Sequence, residues 1–279
     1  MSKPRSTPPI TSVSNSRVQW LRSLKERRGR EAAGAFLVEG PHAIEQALHA
    51  DVEPVLVAYV PELLTVGGHV ARVLDALPAQ VFALPVSERV LASVGDTRTT
   101  QGLLAGFNLP DHRSQPVAAA PGLSLVLDRV RDPGNVGTLL RSAAAAGAGM
   151  VLLSPECADP FSPKVVRASA GAIFSVPFRV LTWEYLMQIL SLEYRVYATH
   201  AEADVPYYEA DLTEPCAILI GNEADGLGEE ARVLATRSIN IPMAAGMESL
   251  NAAVAGSVLL FEARRQRTRH ENGAFHVPA

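Results

Sequence analysis

The sequence predicts an α/β protein of two domains, and three observations lead to this prediction. A chain of 279 residues with 48% hydrophobic residues is long enough to bury two cores. β-rich apolar runs alternate with helical patterns over residues 31–107 and again over residues 122–279. Residues 108–121, between them, are rich in Pro and Ala and have no periodicity, which is typical of a linker.

Residues 1–30 are predicted to form a basic arm in front of the first domain. They contain eight Lys and Arg residues and one Glu, a net charge of +7, whereas the rest of the chain has 17 basic and 28 acidic residues. This asymmetry indicates a polyanionic partner such as nucleic acid, with a solvated tail as the alternative. Val18, Leu21 and Leu24 share one face of a predicted helix whose other faces are basic, which favours binding.

The first domain, residues 31–107, is predicted to alternate strands with helices. The predicted strands are AFLVEG, EPVLVAYV, AQVFALP and GLLAGF. The predicted helices are PHAIEQALHA, GGHVARVLDALP and SERVLASV. Pro41 stands near the start of the first of these helices, where a missing backbone N–H costs nothing.

The second domain, residues 122–279, is predicted to hold a parallel sheet. Its five predicted strands are LSLVLD, MVLLS, YRVYATH, CAILIG and SINIP, and nearly continuous apolar runs of this kind are typical of strands buried on both faces. Helical patterns between them occur in NVGTLLRSAAAAG, SPKVVRASAG, TWEYLMQILS and GEEARVLAT. The last helix carries Leu250, Val254, Val258 and Phe261 on one apolar stripe.

Composition argues against several classes of protein. No apolar run approaches the roughly 18 residues of a membrane span, and the N-terminus lacks the apolar centre of a signal peptide, so we expect a cytoplasmic protein. Cys157 and Cys216 fit neither a disulfide framework nor a metal-ligand spacing, and the seven His residues are scattered, so we expect no metal. His200 is interpreted as a capping or surface residue. The GxSxG, HExxH, GxxxxGK[ST] and GxGxxG motifs are absent.

Two loops that follow predicted strands carry polar residues. In LDRVRDPGNVG, Asn135 is placed to cap the helix that carries Arg141, although a surface ion pair is the alternative interpretation of this arginine. In LIGNEADGLGEEA, a strand runs into Gly221, and Asn222 and Glu223 are predicted to form a turn. An ordinary strand-to-helix connection without a binding role is the alternative interpretation of this turn. Ligands of open parallel sheets bind beyond the carboxyl ends of the strands, so both loops are candidates for a binding site.

A third loop, IPMAAGMESLNAAVAG, places three polar residues where a strand leads into an Ala-rich helix. Ser249 or Asn251 can cap this helix, and Glu248 can project to solvent. Three polar groups exceed what capping needs, and burying each unpaired would cost about 1–3 kcal/mol. We therefore expect a polar ligand or a facing loop to satisfy them.

Taken together, the three loops closely resemble the signature motifs of the SpoU (TrmH-type) family of SPOUT RNA 2′-O-ribose methyltransferases. The resemblance rests on DPGNVGTLLRSAAAAGA, ILIGNEADGLGEEA and INIPMAAGMESLNAAVAGSVLLFEARRQ, and covers about residues 121–267. NSRVQWLRSL, FLVEGPHAIEQAL and DTRTTQGLLAGF extend it weakly to the first half, which resembles an L30e-like RNA-binding domain. Ala224 and Asp225 stand where the family often has Gly and a basic or polar residue.

The resemblance implies a methyltransferase that moves a methyl group from S-adenosylmethionine to a ribose 2′-OH of RNA. It also implies a homodimer whose active sites are each completed by the partner chain, and a deep trefoil knot in about residues 195–265. The implied reaction-centre residues are Asn135, Arg141, Glu223, Ser249 and Asn251. The implied cofactor-binding residues are Gly221, Asn222, Ile241, Met243, Ser249 and Leu250. Candidate RNA-binding residues are Arg17, Arg22, Lys25, Arg28, Arg30 and Arg98.

The identity of the substrate stays open at this point. The L30e-like domain favours ribosomal RNA, most of all 23S, over tRNA, and an enzyme that protects the ribosome from an antibiotic is one version of this. A non-catalytic RNA-binding or ribosome-assembly protein is an alternative, although Arg141, Glu223 and Asn251 are all retained. A small-molecule methyltransferase is disfavoured because it would leave the basic arm without a role.

Overall fold

The computed structural model describes residues 8–96, 100–110, 122–190, 194–244, 247 and 249–274. Most of the predicted linker, Arg98 and Glu248 therefore lie outside the described residues. The chain divides into two compact units, one of residues 1–110 with 160–175 and one of residues 111–159 with 176–279.

The first unit contains every strand and helix predicted for residues 31–107. Its four-stranded sheet has the order β1-β4-β2-β3, in which β4 is antiparallel to both neighbours and β2 is parallel to β3. The strands are β1 Ala35–Glu39, β2 Pro54–Tyr59, β3 Phe82–Pro85 and β4 Leu103–Asn108. The helices are α1 Ser16–Ser23, α2 Arg27–Ala33, α3 Pro41–His49, α4 His69–Asp75 and α5 Glu88–Val94.

The described part of the predicted basic arm is folded into the first unit, so the boundary expected at residue 30 is wrong. Asn15 caps α1 by accepting a hydrogen bond from the backbone N–H of Arg17 at 3.0 Å. Leu21 and Leu24 are fully buried in the same core cluster as Leu37 of β1. The physical reason is the apolar face of α1, which contributes more by covering the sheet than by staying in water.

The second unit contains a seven-stranded sheet in which every strand pair is parallel. Its order is β7-β6-β5-β10-β8-β11-β9, which confirms the predicted parallel-sheet α/β fold. The strands are β5 Leu123–Leu127, β6 Met150–Leu153, β7 Phe178–Val180, β8 Arg195–Thr199, β9 Val205–Pro206, β10 Cys216–Ile220 and β11 Arg237–Asn240. The helices are α6 Pro133–Ala146, α8 Trp183–Leu190, α9 Glu229–Leu234 and α10 Ala252–Ala274.

Residues 160–175 leave the second unit and complete the first, so the predicted continuous domain 122–279 is wrong. This segment contains α7, Pro163–Ala168, and a short 3-10 helix, Ala172–Phe174. The rings of Phe161 and Phe174 lie 5.0 and 6.0 Å from that of Phe36 on β1. The packing of these tilted rings against Phe36 explains why the segment joins the first core.

Helix α10 packs closely against α6 in the second unit. A Cβ atom on Gly256 would overlap the side chain of Leu139, and the hydroxyls of Ser142 and Ser257 lie 2.7 Å apart. The residues that α10 buries are Ala252, Ala253, Gly256, Leu259, Leu260 and Ala263. Val254 and Phe261, by contrast, are 48% and 50% exposed. These two residues of the predicted apolar stripe therefore point away from the core. The trefoil knot that the resemblance implies stays a prediction.

Both cysteines are free thiols, of which Cys216 is buried and Cys157 is partly buried. Burial raises the pKa of Cys157 and of Cys216, so neither thiol is a ready nucleophile. Within the described ranges, no helix has both the length and the apolar character needed to cross a membrane.

Candidate active site

The three predicted loops all start at the carboxyl edge of the parallel sheet of the second unit. Strand β5 ends at Leu127, β10 at Ile220 and β11 at Asn240, each directly before one of these loops. β5 and β10 are neighbours in the sheet, whereas β8 separates β10 from β11. Parallel strands thus bring the three loops to the edge where this class of sheet binds ligands.

The first loop turns into α6 at Asp132. The Oδ1 atom of Asp132 accepts a hydrogen bond of 2.9 Å from the backbone N–H of Asn135, and Pro133 occupies the first helical position. The prediction that Asn135 caps this helix is therefore wrong, because Asp132 supplies the cap. This arrangement leaves the side-chain amide of Asn135 available for other partners.

The amide of Asn135 joins all three loops. Its Nδ2 atom donates to Oε1 of Glu223 in the second loop. Its Oδ1 atom accepts a hydrogen bond of 3.0 Å from Nδ2 of Asn251 in the third loop. Asn135 is 9% exposed, whereas Glu223 and Asn251 are exposed, so the network runs from a buried amide to the surface of the unit. Of the five predicted reaction-centre residues, the structure brings Asn135, Glu223 and Asn251 together.

Asn251 also starts α10. Its Oδ1 atom accepts hydrogen bonds from the backbone N–H groups of Ala253 at 2.9 Å and of Val254 at 3.3 Å. The amide thus uses its oxygen for the helix and its nitrogen for Asn135. Ser249 is exposed, and its hydroxyl makes no hydrogen bond to any residue that the structure describes.

The second loop is a tight turn organised by Asn222. The backbone groups of Asn222 and Gly226 pair in both directions, and Asn222 Oδ1 accepts from the N–H of Ala224 at 2.9 Å. A Cβ atom on Gly221 would lie 2.6 Å from the amide nitrogen of Leu227, so only glycine fits there. Gly221 and Asn222 therefore give the loop its shape, whatever the ligand.

Two residues that we did not predict, Asp128 and Arg129 at the end of β5, form hydrogen bonds with the second loop. Asp128 is fully buried and accepts hydrogen bonds from the backbone N–H of Gly228 at 2.6 Å and from Arg129 Nε at 3.2 Å. Arg129 has a φ of +55° and donates from Nη2 to the carbonyl of Gly226 at 3.3 Å. An acidic residue directly after a buried strand was the available signal, since a buried carboxylate needs partners.

The third loop carries apolar side chains as well as Asn251. Ile241, Met243 and Leu250, all predicted to line the cofactor pocket, are half-buried. Partly exposed apolar side chains are the kind of surface that the adenosine moiety of a cofactor contacts. The composition of the loop is therefore compatible with S-adenosylmethionine.

Arg141 does not join the cluster around Asn135. Its side chain is exposed on α6 and makes no hydrogen bond or ion pair with the residues that the structure describes. The alternative interpretation as a surface ion pair therefore has no partner within that part of the chain. His200 is an exposed surface residue, and its Nδ1 accepts a hydrogen bond of 3.2 Å from the backbone N–H of Glu202 within a turn.

The predicted RNA-binding residues of the first unit fall into different environments. Arg17, Arg22 and Arg28 are exposed, and Lys25 donates to the carbonyl of Gly95 at 3.0 Å. Arg30 is only 4% exposed and donates to the carbonyls of Leu24 and Lys25. Its assignment to RNA is therefore wrong, because its guanidinium is committed to the turn between α1 and α2. Arg98 lies outside the described residues.

No group of three or more His, Cys, Asp or Glu side chains comes close enough to hold a metal ion, among the residues whose placement is described. The predicted reaction-centre residues other than Arg141 are instead two amides, one carboxylate and one hydroxyl. Such groups bind and orient polar organic ligands.

Two protein-family models match the chain, one for each unit. The model of the SpoU rRNA Methylase family matches residues 122–261. The model of the MRM3-like substrate binding domain matches residues 15–105. The second match includes α1, in agreement with the packing of this helix on the sheet of the first unit.

Individual proteins resemble the chain over nearly its whole length. An uncharacterized tRNA/rRNA methyltransferase from Synechocystis sp. is 36% identical, over 92% of this chain and 94% of the relative. The 23S rRNA (guanosine(2553)-2'-O)-methyltransferase RlmP from Bacillus subtilis is 31% identical, over 91% of this chain and 98% of the relative. The SpoU methyltransferase AviRb from Streptomyces viridochromogenes, solved with the cofactor AdoMet, aligns with a TM-score of 0.81 and 30% identity, over 91% of this chain and 98% of that chain.

Proposed function

The chain belongs to the SpoU rRNA methylase family, and from this membership we propose that it transfers a methyl group from S-adenosylmethionine to a ribose 2′-OH of 23S ribosomal RNA. The observation that carries the proposal is the amide of Asn135, which links the three loops at the carboxyl edge of the sheet. Both thiols are free, which favours a reducing compartment such as the cytoplasm.

We assign the cofactor to the second and third loops. Gly221 and Asn222 supply closely packed backbone, while Ile241, Met243 and Leu250 supply apolar contact and Ser249 a free hydroxyl. When bound there, S-adenosylmethionine supplies an electrophilic methyl group on a positively charged sulfur. The hydrogen bonds among Asn135, Glu223 and Asn251 tie the three loops to one another, so that bound groups are held without reorganisation of the loops.

Arg141 has the chemistry needed to stabilise the ribose oxygen as it loses its proton. A guanidinium stays protonated in proteins, which makes it a poor general base and a strong donor to phosphate and to developing negative charge. We therefore assign Arg141 to the RNA phosphate and the reacting oxygen rather than to proton removal. Its exposed position leaves the side chain accessible to both.

We further propose that the protein works as a homodimer in which Arg141 serves the site of the partner chain. Arg141 lies outside the cluster that holds Asn135 and Asn251, which fits a site completed by a second copy. The exposed side chains of Val254 and Phe261 on α10 offer an apolar stripe for the contact between the copies.

A mixed dimer tests this arrangement. We would co-express Arg141→Ala and Asn251→Ala chains with different tags, and purify the dimer that carries both. Each homodimer is expected to be inactive, whereas the mixed dimer should regain about half of the parent activity. It regains this activity because one site receives an intact Arg141 from the partner and keeps its own Asn251. A mixed dimer as inactive as both parents would refute the exchange of Arg141.

The choice of ribosomal RNA rests on the match of the first unit to a substrate-binding domain and on the relative from Bacillus subtilis. To test it, we would incubate the protein and S-adenosylmethionine with unmodified 23S RNA and with a tRNA pool, and map the gained 2′-O-methyl groups. One new site in 23S RNA is expected. A new site in tRNA alone would replace the substrate, and no transfer to either RNA or to ribosomal subunits would overturn the proposal.

A further inference from the structure

The first unit contains a cleft between α1 and the edge of its sheet. The cleft has a volume of about 320 Å³ and lies against Ser16, Arg17, Trp20, Val55, Leu56 and Phe82. This volume is at the lower end of the range of about 300–1,000 Å³ that is typical of small-ligand pockets. One wall comes from α1 and the other from β2 and the edge strand β3.

Arg17 and Phe82 form a stacked pair in this cleft. The guanidinium carbon of Arg17 lies 3.8 Å from the centre of the Phe82 ring. Phe82 and Val55 are each 44% exposed, although large apolar side chains are usually covered when a core is available. A flat cation on an exposed aromatic ring presents a planar surface to a ligand.

Trp20 forms a fixed part of the same wall. A Cβ atom on Gly106 would lie 2.6 Å from a ring carbon of Trp20, so the indole packs directly against the backbone of β4. Trp20 is half-buried and packs against the core cluster of the first unit. Because the indole is supported from behind, it can contact a ligand without losing side-chain freedom on binding.

Further exposed cations follow the α1 residues of the cleft in the sequence. Arg22 belongs to α1, and Arg28 to α2, and both side chains are exposed. Arg22 also borders a second cleft of about 470 Å³, whose lining includes Lys25 and the carboxylate of Glu26. The first cleft thus offers a largely apolar surface with one cation, Arg17, and the helices α1 and α2 carry further exposed cations. Single-stranded nucleic acid requires both properties, a surface for a base and charges for its phosphates.

We propose that this cleft binds one unpaired nucleobase of the RNA substrate, stacked against the Arg17–Phe82 pair and in contact with Trp20. The proposal rests on the proposed function, and it names the part of the first unit that distinguishes single-stranded from paired RNA. Phosphate contacts alone would not require the exposed ring of Phe82 or the supported indole of Trp20. Unpaired bases in RNA loops are commonly bound by stacking on aromatic and Arg side chains.

Binding of a short oligouridylate to the full chain tests the proposal, with an abasic oligomer of the same length and charge as the comparison. The chain contains two Trp residues, so a Trp183→Phe background reports on Trp20 alone. Two variants separate stacking from charge, because Arg17→Lys keeps the charge and Phe82→Leu keeps apolar volume. Arg72→Lys, a charge-preserving change at an exposed Arg on α4, is the matched control.

We expect oligouridylate to quench Trp20 fluorescence and to bind about fivefold or more tightly than the abasic oligomer. Arg17→Lys and Phe82→Leu should each remove most of this difference, while Arg72→Lys should keep it. Equal binding of the two oligomers, or variants that keep the difference while their unfolding midpoints match the parent, would overturn the proposal. If the parent protein methylates 23S RNA in the same preparations, that failure concerns the cleft alone. If the parent protein transfers no methyl group to 23S RNA, that result counts against the proposed function, independently of how the two oligomers bind.

Discussion

The backbone N–H of Gly228 donates a hydrogen bond of 2.6 Å to Oδ2 of Asp128, across 100 positions of the sequence. Asp128 stands directly after β5, and Gly228 directly before α9. The fully buried carboxylate thereby fixes the end of the second loop against the start of the first. The second loop, which we assign to the cofactor, is therefore anchored to the end of β5 by this hydrogen bond, independently of any ligand.

Replacing Asp128 tests this support. Asp128→Ala leaves the N–H of Gly228 without its acceptor and the guanidinium of Arg129 with only the carbonyl of Gly226, and we expect a loss of about 1–3 kcal/mol in the free energy of unfolding. We also expect weaker binding of S-adenosylmethionine, because the second loop loses its anchor. Urea unfolding and calorimetric titration measure the two effects. Asp225→Ala, which removes an exposed carboxylate from the same loop, should unfold like the parent, and equal stability of both variants would contradict the anchor.

Asn251 combines a structural and a catalytic role that substitution can separate. Asn251→Asp keeps an oxygen that can cap α10, since Asp and Asn are equally good caps, but loses the donor to Asn135. The amide of Asn135 can then serve only one of two carboxylates, Glu223 or residue 251. We expect near-parent stability and at least about a tenfold loss of methyl transfer, which corresponds to 1.4 kcal/mol.

The control for this variant is Asn251→Ala, which removes both functions. It should lose about 1 kcal/mol of stability together with the transfer activity. Thermal unfolding and single-turnover transfer to 23S RNA report on the two properties. Full activity of Asn251→Asp would show that the bond to Asn135 has no part in the reaction.

Two arginines of the first unit are expected to behave oppositely towards RNA and towards stability. Arg28 is exposed, so Arg28→Ala should lower the dependence of RNA affinity on salt by up to about one phosphate contact and leave stability unchanged. Arg30 is buried against two carbonyls, so Arg30→Ala should cost about 1–3 kcal/mol of stability and leave the salt dependence as it is. Affinity at several salt concentrations, together with urea unfolding, checks both. The reverse pattern would refute the assignment of these two residues.

The exposed stripe of α10 predicts the oligomeric state. Phe261→Glu places a charge in the proposed contact between copies, and we expect it to convert a dimer into a monomer that is folded but inactive in transfer. Val233→Glu, at a residue of α9 that is 74% exposed, is the matched control and should remain dimeric. Sedimentation velocity distinguishes the two species. If the Phe261→Glu protein sediments like the parent, the contact between copies does not include this stripe of α10.

Sequence patterns predicted most of the fold because the signals were local. Cys216–Ile220 and Leu123–Leu127 are continuous apolar runs, and both are buried strands of the parallel sheet. Strands β7 and β9, with three and two residues, were missed because they are too short to show a period. The loops that follow the long strands were predicted as one site, and Asn135, Glu223 and Asn251 do meet there.

The errors concern properties that a local pattern does not contain. Asp132 and Asn135 are both good capping residues, and which of them caps α6 depends on where the backbone leaves its extended conformation. The helical pattern of residues 163–168 predicted α7 correctly, but not the core that it joins. That choice depends on Phe36, Phe161 and Phe174, which are far apart in sequence. Arg30 was assigned to RNA by its charge, although its partners are backbone carbonyls.

The discontinuous first unit has a consequence for synthesis on the ribosome. Residues 1–110 emerge first, yet Phe161 and Phe174 cover the ring of Phe36 only after β5, α6 and β6 have also been made. At about 5–20 residues per second, this interval lasts several seconds. During that time the ring of Phe36 on β1 lacks its cover in the nascent chain, and we expect chaperones that bind apolar segments to recognise this surface. A gene fragment that stops near residue 110 would keep this face uncovered permanently.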